Sequence, residues 1–145
     1  MEYRRLFIIR KDLKLSPGKM SAMVAHCAEA YWLRLFRNAD SSSTEDGKVS
    51  LNIELDADIM EHYVLGKIVK TICQARNKNQ LMKAVTIAEE LGLKENIDFG
   101  LINDVCRTEL TPENEDGTVT VGIWFKPPPT DISHQISKKY HLYMA

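Results

Sequence analysis

The chain has 145 residues, 44% hydrophobic and 27% charged, with a net charge of −1. That suffices for one well-filled core but not two, and gives no global positive charge to argue for nucleic acid. The three cysteines, Cys27, Cys73 and Cys106, form no C-x-x-C pair, which argues against a disulfide framework or zinc knuckle and fits a reducing cytoplasm. Every apolar run is too short for a signal peptide or membrane span, so one soluble, cytoplasmic domain over residues 1–145 is expected.

Residues 6–10, LFIIR, read as a strand buried on both faces. After KDLKLS, Ser16 can cap free N–H groups and Pro17 suits the first helical position, so a helix is predicted from there to Arg37. At roughly 100° per residue Met20, Val24, Cys27, Tyr31 and Leu35 form its core stripe, while Lys19, Met23 and His26 share a second strip. A lysine in the first turn has the wrong sign for the helix dipole, which suggests that another group wants the cation. Around it Arg4, Arg5, Arg10, Lys11, Lys14 and Lys19 outweigh Glu2 and Asp12, a candidate phosphate-facing patch.

RNADSSSTEDGK reads as an exposed, mobile loop, and VSLNIEL as a half-exposed strand. DADIMEHYVLG predicts a short helix capped by Asp56 or Asp58 and closed by Gly66. KIVKTIC is a β-branched strand, followed by a helix on Leu81, Val85, Ala88 and Leu91 that Gly92 ends. FGLIN gives a strand ending at Asp104. TVTVGIWF alternates Val119, Val121, Ile123 and Phe125 on one side, with Thr120 facing away. KPPP stops it, and Asp131 can cap a last helix with Ile132 and Ile136. Strands interleaved with helices make an α/β three-layer sandwich with helices on both faces.

Sites in such folds lie beyond the carboxyl ends of strands, where Lys19 follows one strand and Asp104 ends another. Cys106 beside Asp104 raises a thiolate nucleophile as an alternative, but no Cys-His spacing identifies its partner. His62, His134 and His141 have no metal-ligand spacing, and neither metal nor cofactor is implied.

Three stretches, RKDLKLSPGKMSAMVAH, NDVCRTELTP and GTVTV, resemble in order the motifs R-x-D-L-K-M-x-x-G-K-x-A-A-Q-x-x-H, D-A-G-R-T-Q and P-G-x-x-T-V of the PTH2-type peptidyl-tRNA hydrolases. Arg10, Asp12, Leu13, Lys14, Gly18, Lys19, Ala22 and His26 match the first motif. Asp104, Arg107 and Thr108 match the second, and Pro112, Gly117, Thr120 and Val121 the third. The resemblance implies a mixed sheet of four or five strands and hydrolysis of the ester joining a peptide to the terminal ribose of tRNA. It assigns Lys19, Asp104 and Thr120 to catalysis, and Arg10, Asp12, Met23, His26, Arg107 and Thr108 to the substrate. Peptidyl-tRNA is the implied partner; a homodimer is left open.

The departures are specific. Met23 replaces a glutamine, Val105-Cys106 an Ala-Gly pair and Glu109 a second glutamine; GIWFKPPP stands where the family ends in a glycine-rich segment, and residues 38–55 read as an insertion. Two rival functions follow: a non-catalytic tRNA- or protein-binding module that keeps the fold, and hydrolysis of a different acyl ester with Trp124 walling the cleft.

Overall fold

The computed structural model describes residues 2–107 and 109–144. Strand β1 (Arg4–Arg10) sends Leu6 and Ile8 into one apolar layer and Phe7 and Ile9 into the other, as a continuous apolar run requires when both faces are covered. Helix α1 (Pro17–Arg37) packs on the Phe7–Ile9 face. The five-stranded sheet is completed by β4 (Val69–Ala75), β5 (Phe99–Asp104), β6 (Val119–Phe125) and β7 (His141–Leu142), in the order β5-β6-β1-β4-β7. In this sheet β1 and β4 pair in parallel, and the other neighbours pair antiparallel. Helices α3 (Lys78–Glu90) and α4 (Thr130–Ser137) cover the other face, contributing Leu81, Ala84, Val85, Ala88 and Ile136 to the layer with Leu6 and Ile8. The sandwich expected from the sequence is what forms. No helix among the described residues is long and apolar enough to cross a membrane.

The α1 core line differs from the predicted one. Its buried residues are Met23, Cys27 and Tyr31, while Met20, Val24 and Leu35 are half-buried. Met23, 2% exposed, therefore belongs to the core and not to the strip of Lys19 and His26. The apolar arc of α1 is wide enough to admit both readings; the seating of the helix on Phe7, Ile9 and Val121 selects one.

The stretch read as a loop, residues 37–48, holds a strand, and the strand read as half-exposed is exposed throughout Val49–Asn52. Strands β2 (Asp40–Ser43) and β3 (Val49–Asn52) form a two-stranded antiparallel hairpin outside the main sheet. The polar first strand carries no apolar alternation, so pairing there was invisible to periodicity. Helix α2 (Ala57–Ile59) continues as a wider π-type turn, Met60–Val64, and its Asp56 makes no side-chain cap bond. Gly66 is required: a Cβ there would stand 2.4 Å from the His62 carbonyl oxygen.

Strand β6 breaks its expected alternation. Ile102 pairs with Gly122 but Asn103 with Thr120, so β6 carries one extra residue. Val119 and Val121 consequently pack in the α1 layer, and Ile123 and Phe125 in the α3 layer.

Candidate active site

Helix α1 starts just past the end of β1, and its first turn faces the end of β5. Lys19 Nζ donates to Asp104 Oδ1 at 2.9 Å, and the Cys106 backbone N–H donates to Asp104 Oδ2 at 2.9 Å. The two side chains are only 14% and 8% exposed. Burial pushes the Asp104 carboxyl up, but the Lys19 hydrogen bond, the Cys106 N–H and the charges of Lys19 and His26 prevail and hold it below the ordinary carboxylate value. Asp104 is thus an ionised acceptor, paired with the cation that looked misplaced in the first turn.

A second acid answers the helix dipole. Glu109 reaches back to the start of α1, where its carboxylate accepts from the Ser16 N–H at 3.1 Å and from the Ser16 hydroxyl. Those bonds, the hydroxyl first, lower its pKa. The Ser16 side chain in turn accepts the Lys19 N–H. With the Ser16 and Lys19 N–H groups engaged and Pro17 offering none, the first turn presents the Lys19 ammonium beside the Gly18 N–H.

Arg10 and Asp12, expected to bind substrate, form a clamp between loops. The buried Arg10 guanidinium meets Asp12 in two bonds of 3.1 and 2.8 Å, Glu113 Oε1 at 2.5 Å and the Thr120 carbonyl at 2.9 Å. The Asp12 bonds lead in raising its pKa. Glu113 was missed in the sequence, its turn-rich surroundings marking only a loop.

Thr120 is not brought to the Lys19–Asp104 pair. Across the β5–β6 ladder Asp104 faces Val119, while Thr120 faces Asn103. The Thr120 hydroxyl donates to Asn103 Oδ1 at 2.8 Å and accepts from Asn114 Nδ2 at 3.2 Å. Adjacent strand residues point to opposite faces, so this hydroxyl lies on the far side of the sheet from Asp104. His26 is exposed and near enough for its charge to act on Asp104. Arg107 is exposed, with no hydrogen bond or ion pair among the described residues, and Thr108 lies outside those residues.

Cys106 holds a left-handed backbone with φ of 61°, which a residue with a Cβ adopts at a cost. Its thiol is pushed up by desolvation and then by Asp104, which disfavours the thiolate that a nucleophile needs. The expected basic patch also dissolves: Arg5 is fully buried, Arg10 and Lys19 are paired, and Arg4 meets Glu2. The charges left around it are Lys11, stacked on Tyr143, and the exposed Lys14. Asp58, Glu61 and His62 have ligand atoms within 4.8 Å of one another, but His62 stacks on Tyr3 at the opposite end of β1 from Lys19.

The family model described as Peptidyl-tRNA hydrolase PTH2 matches residues 3–143. The mitochondrial peptidyl-tRNA hydrolase 2 of Bos taurus is 24% identical over 142 residues, covering 98% of this chain and 65% of that protein. The chain therefore spans about two thirds of that relative's length. The peptidyl-tRNA hydrolase of Thermococcus onnurineus is 30% identical over 122 residues, covering 81% of this chain and 79% of its own. Among solved structures, an Agrobacterium protein of unknown function superimposes with a TM-score of 0.55 at 12% identity, covering 99% of both chains, a likeness of fold alone. A match over almost the whole chain places this chain in the peptidyl-tRNA hydrolase PTH2 family.

Proposed function

We propose that this chain hydrolyses the ester joining a peptide to the 3′-terminal ribose of tRNA. One observation carries the reading: a lysine and a carboxylate 85 residues apart in sequence meet at 2.9 Å beside the start of a helix, in a chain of this family. Water attacks the ester carbonyl and its oxygen forms the new acyl bond; the bond from the acyl carbon to the ribose oxygen breaks, that oxygen takes one proton of the water, and the other is released as the acid product ionises. The negative charge that builds on the carbonyl oxygen needs a fixed positive partner.

Lys19 supplies that partner. Asp104 is a weak base, because its proton affinity is lowered, so its part is to orient the water and hold Lys19 rather than to take a full proton. Both carboxylate oxygens already accept one bond, from Lys19 and from the Cys106 N–H, and each retains capacity for a water. His26 and Arg107, both exposed near this end of the molecule, bind the tRNA end. Thr120 acts at a distance, steadying β5 through Asn103.

Glu109 favours a second reading. Its carboxylate stands at the start of α1, near Lys19, where it opposes an incoming phosphate, and a chain that keeps the fold for binding alone could tolerate it. Purified protein assayed on N-acetyl-aminoacyl-tRNA beside unblocked aminoacyl-tRNA separates the two. Release of the blocked acyl group alone supports the hydrolase; binding without release supports the second reading; hydrolysis of unrelated esters with neither tRNA substrate cleaved removes both.

A further inference from the structure

Between α1 and the β5 side of the sheet lies a groove of about 560 Å³ lined from His26 and Asn103, the chain neighbour of Asp104, to Arg34 and Arg37. From His26 to Arg37 the helix rises roughly 16 Å, enough for about four nucleotides stacked at ~3.4 Å each. We propose that this groove is the bed of the single-stranded 3′ end of tRNA, with Arg34 and Arg37 holding backbone phosphates; the assignment rests on the hydrolase reading above.

Charge selects the occupant. Among the described residues neither Arg34 nor Arg37 has a carboxylate partner, and Glu29 is the one acid lining the groove. Both arginines complement the negative end of the α1 dipole, but that role needs no groove beneath them. The floor is apolar, with Leu33, Leu101 and Ile102 offering flat contact to bases, and the Asn96 amide can reach base edges. A peptide of arbitrary sequence would gain nothing from two guanidiniums at the far end. A second cation-bearing groove, lined by Arg76, Lys83 and Lys139 against Glu90, lies along α3 on the opposite face of the sheet from the ion pair.

The test is binding of fluorescently labelled, deacylated tRNA across a salt series, for the full chain and for an R34Q/R37Q double variant whose fold is checked by thermal melting. The variant should bind about tenfold more weakly, with a salt dependence shallower by about 1.4 in the log–log slope, the share of two single-strand phosphate contacts. A tRNA lacking its last four nucleotides should be nearly indifferent to the substitution. Unchanged affinity overturns the proposal, as does an equal loss for the truncated tRNA or a larger loss in a K83Q/K139Q variant. If the double variant melts early, Arg37→Gln alone, at the more exposed position, serves with an expected loss of about threefold. A wild-type chain that cleaves peptidyl-tRNA while R34Q/R37Q binds normally removes the groove and keeps the hydrolase; one that never cleaves but loses tRNA binding on substitution does the reverse.

Discussion

The two faces of the sheet are built to different rules. The α3 face is an apolar layer of Leu6, Ile8, Leu81, Val85, Phe99, Ile123 and Phe125, closed at one end of β6 by a polar set in which Thr120, Asn103 and Asn114 bond to one another and Lys78 of α3 donates to Asn114. The α1 face buries a charge within its layer. Arg5 is fully buried there, donating to the carbonyls of Phe125, Ala28 and Cys27, and Lys19 and Asp104 meet at its rim. The difference teaches where chemistry can be placed. A charge under α1 finds either carbonyls to hold it or an opposite charge at the rim, whereas on the α3 side the ionic contacts of Lys78 and Arg10 with Glu113 gather past the end of the apolar layer.

The sharpest way to break this contrast is Lys19→Ala. It should raise the barrier to peptidyl-tRNA hydrolysis by about 3 to 4 kcal/mol, the loss of one oxyanion donor. Stability should also fall by about 1 to 3 kcal/mol, since the buried Asp104 loses its charged partner. Turnover and urea denaturation measured on one preparation separate the two losses, and unchanged turnover would make the pair structural. Next in size is Met23→Gln. It restores the family's amide, yet at a site 2% exposed it should destabilise by about 1 to 3 kcal/mol; a neutral melting temperature would return Met23 to the cleft.

Thr120→Val probes the far face. With its hydroxyl bonded to Asn103 and Asn114, the change should cost about 1 kcal/mol of stability and reduce kcat only a few-fold. A hundredfold fall in kcat would place the hydroxyl in the reaction. Smaller still, Cys106→Gly exchanges backbone strain at φ of 61° for lost side-chain contact; the net should be stabilisation below about 1 kcal/mol, read as a rise in melting temperature.

The pH profile sharpens the same point. Asp104 is held below its ordinary value, so its contribution is fully present above the unfolded carboxylate pKa of about 3.9 and is lost as pH falls through the folded value. Stability and turnover should therefore show no limb from Asp104 between about pH 5 and 8. If Asp104→Asn abolished an acid limb near pH 6, the lowered pKa would be refuted.

The sequence by itself determined most of the elements. Ser16-Pro17, Gly92, the LFIIR run and the β-branched KIVKTIC stretch are local signals, and each marks an element or boundary of β1, α1, β4 or α3. Lys19 and Asp104 were legible as candidates because both adjoin strand ends and match family motifs, but their contact is a property of the ladder between β5 and β6 and of the seating of α1. The tertiary structure alone decided three further matters. The wide apolar arc of α1 was resolved in favour of Met23 by packing on Phe7, Ile9 and Val121. The polar DSSS strand forms a hairpin because its backbone finds a partner, which side-chain alternation does not encode. One extra residue in β6 turns Thr120 from Asp104 toward Asn103, since residue types in a strand report which side chains alternate, whereas a bulge is set by how two backbones pair across the sheet.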